Sequence, residues 1–269
     1  MSTDLHGNFA DFERLRAIFR EEHAKDPGTH WAILGDLVHG PSEVAATAEP
    51  ELYGYRDESW AIVRGVMELC RELPERVHFV LGNHDHGHVG GQHTSKFHAD
   101  EVARLEETLD PAERAALRAF FEHALLLIVA PCGLLLAHGS PGAALVDLEE
   151  LDRLSLDMGQ GTRARQELLG SILTSYGQRP EVTDRMLASV GGKLGLELHV
   201  VAHGHDRDVE GWFKEGHNQI CPVIFGAPRE RKRFLRLDLG TRYRSVSDLR
   251  DGVEIERLWP HPVGAEGVV

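Results

Sequence analysis

The chain has 269 residues, of which 42% are hydrophobic, which is typical of a globular protein and excludes a small disulfide-stapled one. Its longest apolar run, from Ala124 to Ala130, is far shorter than the roughly 20 residues that cross a bilayer, so we expect no membrane-spanning helix. The formal net charge of -14 disfavours long nucleic acids as partners, because their phosphate backbones would be repelled. The N-terminus lacks a basic stretch followed by an apolar one, so we expect a cytoplasmic protein.

Helix and strand patterns alternate in the first half of the chain, which is typical of α/β folds. The predicted elements are a helix capped by Asn8, a buried strand at Trp31–Leu34, a helix at about 58–72, a buried strand at Val77–Leu81, a Gly- and His-rich loop to about His98, and two helices, one starting at Asp110-Pro111.

The second half of the chain is richer in strands. Residues 124–129 and 134–137 flank Pro131-Cys132-Gly133 and predict a β-hairpin. Helices are expected over about 146–193. Further strands are expected at 198–202, 220–225, 234–239 and 253–258. Because no linker is long enough to divide two cores, we expect one domain over residues 1–260 and a flexible tail at 261–269.

Several predicted strands end on residue types that bind metal ions. The strand ends read Gly35-Asp36, Gly82-Asn83-His84-Asp85, His138-Gly139 and His203-Gly204-His205, and Asp4-Leu5-His6-Gly7-Asn8 makes a fifth loop of this kind. Loops at the carboxyl ends of strands line one crevice in α/β sheets, so we expect these side chains to converge. An ordinary turn explains any one motif, but chance turns have no reason to combine carboxylates, an amide and several imidazoles. The combination therefore predicts a metal site.

These five blocks resemble, in the same order, the signature blocks of the calcineurin-like metallophosphoesterases. The resemblance runs from Asp4 to about residue 227, and within that superfamily it is nearest to the phosphoprotein phosphatases. The stretch Val200–Pro228 resembles the last segment of those phosphatases. It implies a four-layer α/β/β/α sandwich of two mixed sheets flanked by helices. It also implies a buried strand before Asp4. Because only three residues precede Asp4, we expect either a natural start further upstream or a shortened strand.

The resemblance also implies a centre of two divalent or trivalent metal ions. The implied ligands are Asp4, His6 and His205 for the first ion, Asn83, His138 and His203 for the second, and Asp36 for both. Manganese is the ion we expect first, with iron or zinc as alternatives, because carboxylate, amide and imidazole donors suit these metals and no thiolate is offered.

The chemistry implied by the resemblance is direct in-line attack on phosphorus by a hydroxide that bridges the two metals. His84 matches the general acid that protonates the leaving group. Asp85, the next residue, could orient His84 and favour its charged form.

The chain departs from the phosphoprotein phosphatases after Asp36. Their Gly-Asp-x-Val-Asp-Arg-Gly is replaced by Gly35-Asp36-Leu37-Val38-His39-Gly40, which lacks the aspartate that partners the acid and the phosphate-binding arginine. His39 resembles a histidine of the nuclease-like branches that helps to position the substrate phosphate, so it is a second catalytic candidate; a surface turn residue is the alternative. Candidates to replace the arginine are Arg163, Arg165, Arg179 and Arg207, of which Arg207 is nearest in sequence to the ligands.

The loop from His86 to His98 is polar and Gly-rich, so we expect it to lie outside the core. It directly follows the expected acid, which suggests a lid that faces the substrate and brings Lys96 to it. A surface loop without a role in catalysis is the alternative.

The leading prediction is a metal-dependent phosphomonoesterase that acts on phosphoproteins or small phosphoesters. Hydrolysis of phosphodiesters or dinucleoside polyphosphates is the alternative on the same site, and His39 favours it. A metal-bound binding scaffold is the non-enzymatic alternative. A serine hydrolase built on Ser140 is weaker, because Gly139-Ser140-Pro141 lacks the full nucleophile-elbow pattern.

Overall fold

The computed structural model describes residues 1–260, and the tail predicted at 261–269 lies outside the described residues. The strands are β1 (Ser2–Thr3), β2 (Trp31–Leu34), β3 (Val77–Val80), β4 (Leu127–Ala130), β5 (Leu134–Ala137), β6 (Val200–Ala202), β7 (Trp212–Glu215), β8 (Gln219–Pro222), β9 (Arg233–Leu235) and β10 (Ile255–Arg257). The helices are α1 (Phe9–Lys25), α2 (Glu43–Ala48), α3 (Pro50–Tyr53), α4 (Ser59–Glu72), α5 (Asn83–His86), α6 (Glu101–Glu107), α7 (Pro111–Glu122), α8 (Arg163–Thr174) and α9 (Pro180–Leu194). Short 3₁₀ segments occur at Gly87–Val89, Leu148–Arg153 and Val246–Asp248.

The strands form two layers that both contain parallel and antiparallel pairs. In the first layer β1, β2 and β3 are parallel, and the antiparallel pair β9–β10 adjoins β1, since Met1 exchanges two backbone hydrogen bonds with Leu235. The second layer has the order β4-β5-β6-β8-β7, with parallel pairs in the middle and an antiparallel pair at each edge. The prediction of two mixed sheets is confirmed. The strand before Asp4 is short, with two residues paired to Ile33 and Leu34.

Alternation of side chains along the strands builds the core between the layers. Leu34 and Val80 of the first sheet pack in one buried cluster with Leu134 and Leu136 of the second. On the outer face of the first sheet, Trp31 stacks against aromatic rings of α1, and α4 packs beside α1. Helices α8 and α9 supply buried apolar residues to the cluster that holds alternate residues of β5 and β6. The order of layers is thus helices, sheet, sheet, helices, as predicted.

Most predicted elements are confirmed because each has a local signal. Asn8 caps α1 by accepting a hydrogen bond from the backbone N–H of Asp11 at 3.2 Å, and Asp110 caps α7 with Pro111 at its first position. Helices α2 and α3 and strand β7 were not predicted. The residues of α2 include none that are buried, so that helix carries no apolar periodicity, and β7 is a half-exposed edge strand that ends in Lys214-Glu215.

The segment after β3 corrects the expectation of a loop outside the core. Residues 83–89 form α5 and a 3₁₀ turn, in which His86 and His88 are buried. Their imidazoles tolerate burial because each has a partner: His86 Nε2 lies 2.6 Å from the carbonyl oxygen of Leu156, and His88 Nδ1 lies 3.0 Å from a carboxylate oxygen of Glu106. The irregular stretch runs only from residue 90 to residue 100.

Among residues 1–260, none of the helices combines the length and the apolar character that crossing a membrane would require.

A buried ion pair fastens the C-terminal part of the described chain to α1. The Lys232 ammonium and the Trp259 indole N–H both donate to the carboxylate of Asp11, and Lys232 and Asp11 are 5% and 3% exposed. We expect Asp11→Ala to lower the free energy of unfolding by about 3 kcal/mol, because it leaves a buried ammonium without its counter-charge. Urea unfolding measures this. Asp11→Asn combined with Lys232→Met should recover part of the loss, and a loss below about 1 kcal/mol for Asp11→Ala would contradict the assignment.

Candidate metal centre

All the predicted ligands lie just beyond the carboxyl ends of neighbouring strands. Asp4 and His6 follow β1, Asp36 follows β2 and Asn83 follows β3 in the first sheet. His138 follows β5, and His203 and His205 follow β6 in the second sheet. The two sheets therefore bring residues that are up to two hundred positions apart in the chain to one edge of the sandwich, as the strand-end pattern predicts.

The backbone at this edge is held in an unusual conformation. In the described part of the chain, positive φ angles at residues other than glycine occur at Asp4 (48°), His6 (42°), Asp36 (52°), His39 (68°) and His205 (66°). A left-handed conformation at such residues costs free energy and persists only where the surrounding structure imposes it. Because every one of these residues was predicted from the sequence as a site residue, the strain marks the backbone that aims the site's side chains.

The first group of donors consists of Asp4, His6 and Asp36. The Nε2 atom of His6 lies 3.5 Å from Asp36 Oδ2 and 4.0 Å from Asp4 Oδ1. The other ring nitrogen of His6 lies 3.1 Å from the carbonyl oxygen of Val38, which can only accept. Nδ1 therefore carries the hydrogen in neutral His6, and Nε2 presents a lone pair to the carboxylates, as in a metal ligand with its outer partner in place.

The second group consists of Asn83, His138 and His205, again beside Asp36. The Nε2 atom of His138 lies 3.5 Å from Asp36 Oδ2 and 3.0 Å from Asn83 Oδ1, while its Nδ1 donates to the carbonyl oxygen of Leu34 at 2.8 Å. His205 Nδ1 lies 2.9 Å from the same Asn83 oxygen. The imidazole of His205 thus joins the donors expected for the second ion, whereas only its backbone N–H, at 3.1 Å, reaches Asp4 of the first group.

His203 carries an orphaned atom. Its Nδ1 lies 2.9 Å from the carbonyl oxygen of Gly204, and its fully buried Nε2 has no hydrogen-bond partner. A buried lone pair without a partner is costly unless a cation binds it. A metal ion at Nε2 would remove that cost, which is consistent with the role expected of His203.

The charges of the site also fit bound cations. Burial raises the pKa of Asp4 to about 6. Burial opposes a charge on His138, but the neighbouring Asp36 carboxylate outweighs it and raises the pKa of His138 to about 10. Buried carboxylates thus draw positive charge onto the nearest imidazole, and a metal ion would supply that charge without a proton. The donor types suit manganese, iron or zinc, so the residues present fit the metal ions that the sequence pattern implies.

His84 lies next to the first group. Its backbone N–H donates to Asp36 Oδ1 at 2.9 Å, and its Nδ1 lies 3.0 Å from His39 Nδ1 and 3.5 Å from Glu101 Oε2. Glu101 is 1% exposed, and its Oε2 has no hydrogen-bond partner. Glu101 is therefore the carboxylate that faces His84. Sequence reasoning missed it because it lies seventeen residues further on, in α6, with no motif around it.

The structure corrects the expected contact between Asp85 and His84. The Asp85 carboxylate accepts hydrogen bonds from the backbone N–H groups of Asp36 (2.7 Å), Leu37 (3.0 Å) and Gly82 (3.1 Å). It thereby ties the loop after β2 to the start of α5 and makes no contact with the His84 imidazole.

The structure also corrects the expectation that His39 contacts a substrate phosphate. Its Nδ1 faces His84 at 3.0 Å and its Nε2 faces His88 at 3.1 Å, and the residue is 3% exposed. Both ring nitrogens are engaged within the protein, so neither is free for a substrate, and the alternative of a surface turn residue is excluded as well.

An open, polar cavity of about 780 Å³ leads to the donors. Its lining residues include Asp4, His6, Asp36, His84, Lys96, Tyr176, His205, Arg207 and Phe225. Lys96 Nζ lies 4.1 Å from the centre of the Phe225 ring, and loss of water around the ammonium lowers the pKa of Lys96 to about 8. Arg207 donates to the Tyr53 hydroxyl at 3.1 Å. Among the residues that the structure describes, Arg207 is the one of the four candidate arginines that lines this cavity.

Ser140 does not offer a nucleophile to this cavity. Its side chain is fully buried and its hydroxyl donates to Gln219 Oε1 at 2.7 Å. This contradicts the serine-hydrolase alternative.

The close approach of Gly204 to Asp4 provides a test of the ligand geometry. A Cβ atom at position 204 would collide with the side chains of Asp4 and Thr3. We expect Gly204→Ala to turn the Asp4 carboxylate away and to weaken metal binding by about 10- to 100-fold. Calorimetric titration of manganese measures the affinity. Gly170→Ala in α8 is the matched control, since nothing lies within 4 Å of a Cβ there. Unchanged affinity in Gly204→Ala would contradict the role of Asp4.

The fold and the buried donors together are of the kind that a metal-dependent phosphoesterase needs. The family model described as calcineurin-like phosphoesterase matches residues 2–215, and the chain belongs to this family. No curated protein matches the chain.

Solved structures are similar to the chain at low sequence identity, and the one with a TM-score above 0.5 shows the same fold. One is a protein serine/threonine phosphatase from Saccharomyces cerevisiae with similarity to human phosphatase PP5, with a TM-score of 0.54 and 16% identity over 82% of this chain and 65% of that one. Another is a cold-active protein-tyrosine phosphatase from Shewanella, with a TM-score of 0.49 and 15% identity over 82% of this chain and 69% of that one. A third is a metallophosphoesterase from Sphaerobacter thermophilus, with a TM-score of 0.39 and 16% identity over 85% of this chain and 76% of that one. The chain thus spans about 65% of the length of the yeast phosphatase.

Proposed function

We propose that the protein is a phosphomonoesterase that works with two metal ions. The observation that carries this proposal is the position of Asp36, whose Oδ2 lies 3.5 Å from the Nε2 atoms of both His6 and His138. One carboxylate oxygen thus faces both sets of donors, so Asp36 would hold both metal ions. When bound, two metal ions would lower the pKa of a shared water and hold the phosphoryl oxygens for in-line attack.

The remaining side chains supply what the metal ions do not. His84 protonates the oxygen of the leaving group. Burial lowers the pKa of His84, and the buried Glu101 carboxylate, 3.5 Å from its Nδ1, opposes that lowering. Lys96 and Arg207 bring positive charge to the mouth of the cavity, where a phosphate enters despite the acidic surface. The same proposal includes manganese as the metal, a single catalytic domain over residues 1–260 and a cytoplasmic location.

The open cavity suits a phosphate carried on a larger molecule as well as a small phosphoester. Similarity to the yeast protein serine/threonine phosphatase makes phosphoserine and phosphothreonine peptides the first protein substrates to try. A phosphodiester substrate loses its support from His39, whose nitrogens are engaged within the protein.

Hydrolysis of p-nitrophenyl phosphate and bis-p-nitrophenyl phosphate by metal-stripped protein, before and after addition of manganese, tests the proposal. We expect manganese-dependent turnover with preference for the monoester. Preference for the diester would instead support the phosphodiesterase alternative. Turnover of neither ester or of phosphopeptides by manganese-loaded protein would contradict the proposal and favour a binding scaffold.

Arg207 should act on substrate binding more than on turnover. We expect Arg207→Ala to raise the KM for p-nitrophenyl phosphate about tenfold with a smaller change in kcat, because a charge-assisted contact to phosphate is lost in ground state and transition state alike. Arg163→Ala is the matched control, since Arg163 pairs with Glu167 on the exposed face of α8. An equal KM for the Arg207 variant and the control would contradict phosphate binding by Arg207.

A further inference from the structure

A row of hydrogen-bonded imidazoles leads from His84 away from the metal donors. His84 Nδ1 lies 3.0 Å from His39 Nδ1, His39 Nε2 lies 3.1 Å from His88 Nε2, and His88 Nδ1 lies 3.0 Å from Glu106 Oε1. The three histidines are 6%, 3% and 4% exposed, whereas Glu106 lies near the surface and also pairs with Arg118 at 2.7 Å. We name this row the imidazole chain; it consists of His84, His39, His88 and Glu106.

The Glu106 carboxylate fixes the direction, from donor to acceptor, of every hydrogen bond in the imidazole chain. An ionised carboxylate only accepts, so His88 Nδ1 must carry a hydrogen and donate to Glu106. Burial lowers the pKa of His88 and lowers that of His39 to about 2, so both rings are neutral and each has one N–H and one lone pair. His88 Nε2 therefore accepts from His39 Nε2, and the Nδ1 of His39 is left to accept from His84 Nδ1.

Two neighbouring groups are consistent with this direction. The Thr94 hydroxyl lies 3.2 Å from the Nδ1 atoms of both His39 and His84, and it can replace their direct hydrogen bond in the same direction by accepting from His84 and donating to His39. Glu101 Oε2, buried and without a hydrogen-bond partner, lies 3.5 Å from His84 Nδ1 and is a third possible acceptor for the same N–H.

We propose that His39, His88 and Glu106 are positioning residues that keep a hydrogen on Nδ1 of His84 and so reserve its Nε2 for the exchange of a proton with the leaving group. The inference rests on the proposed function of His84 as the acid. It explains why a histidine stands at position 39 and why His88 is buried in a segment that the sequence pattern places outside the core. None of the three residues lines the cavity that leads to the metal donors.

The first test reads the hydrogen positions directly and does not depend on activity. In zinc-loaded protein with ¹⁵N-labelled histidine, we expect nitrogen shifts of a neutral ring with Nδ1–H for His88, a neutral ring with Nε2–H for His39, and a hydrogen on Nδ1 of His84. In Glu106→Ala, His88 and His39 should no longer be held in these single tautomers, and each should show a mixture of the two. A hydrogen on Nδ1 of His39 in the unaltered protein, or zinc bound at that nitrogen, would overturn the inference.

The second test measures kcat for phenyl phosphate and p-nitrophenyl phosphate. The phenol that leaves has a pKa near that of tyrosine, about 10, and depends on an acid far more than p-nitrophenol does. We expect Glu106→Ala to lower kcat about tenfold more for phenyl phosphate than for p-nitrophenyl phosphate, with KM little changed. Glu106→Gln, whose amide oxygen can still accept from His88, should recover most of the loss.

Arg118→Ala is the matched control, because it removes the exposed partner of Glu106 and leaves the hydrogen bond to His88 intact. An equal loss for both esters in Glu106→Ala, or no recovery in Glu106→Gln, would overturn the inference. If the loss of kcat in His84→Asn did not depend on the leaving group, the proposed role of His84 as the acid would fail. The nitrogen shifts would still decide whether the hydrogen bonds of the imidazole chain run from His84 towards Glu106.

Discussion

Replacement of Asp36 by asparagine should lower kcat by at least about a thousandfold, equivalent to about 4 kcal/mol of transition-state stabilisation. The reason is the position of its Oδ2, which lies 3.5 Å from ring nitrogens of both donor groups, so that one substitution removes a ligand from two sites. An amide can still accept the backbone hydrogen bond from His84 through its oxygen, so the loop should keep its conformation. The metal content of the purified protein, measured by mass spectrometry together with kcat, checks the prediction.

Asp26→Asn, in an exposed turn after α1, is the control for the charge change alone. It should keep both the metal content and the activity. Retention of two metal ions and of more than about a tenth of the activity by Asp36→Asn would show that the carboxylate is not the bridge.

Replacement of His84 by asparagine should lower kcat for phenyl phosphate by about 10²- to 10⁴-fold and that for p-nitrophenyl phosphate by much less. The loss of the proton donor matters most where the leaving group is a poor one. The metal content should not change, because His84 is assigned to proton transfer although it lies within ligand distance of His6 and Asp36.

His123→Ala on the exposed end of α7 is the matched histidine control and should behave as the unaltered protein. Loss of a metal ion from His84→Asn would identify His84 as a ligand instead of an acid. An equal loss of kcat for both esters would also contradict its role as the acid.

Most of the metal donors were predictable because they closely follow a buried strand, whereas Asp4 and His6 were found through the family resemblance, since β1 has only two residues. A run such as Trp31–Leu34 reveals its strand by composition alone, and the carboxyl end of that strand fixes where Asp36 must lie. Because the carboxyl ends of parallel strands lie at one edge of a sheet, the donors are expected to lie close together even when the tertiary packing is unknown. The same reasoning could not decide which group His205 joins, because that depends on the positive φ angle at the residue and on the side-chain amide of Asn83.

The surroundings of His84 were not predictable, because they come from packing between elements. Glu101 and Glu106 stand on α6, and their contacts with His84 and His88 exist only because α6 lies against the segment that follows β3. Asp85 was wrongly expected beside the His84 ring, since adjacent residues at a helix start project in different directions. A carboxylate there can satisfy backbone N–H groups instead.

The measurement that tests the central claim most directly is a manganese titration of metal-stripped protein in which bound metal and hydrolysis of p-nitrophenyl phosphate are followed together. The account predicts two ions bound per chain and activity that reaches its full value only as the second site fills. Full activity with a single bound ion, or without added metal, would contradict a centre in which Asp36 joins two metal ions.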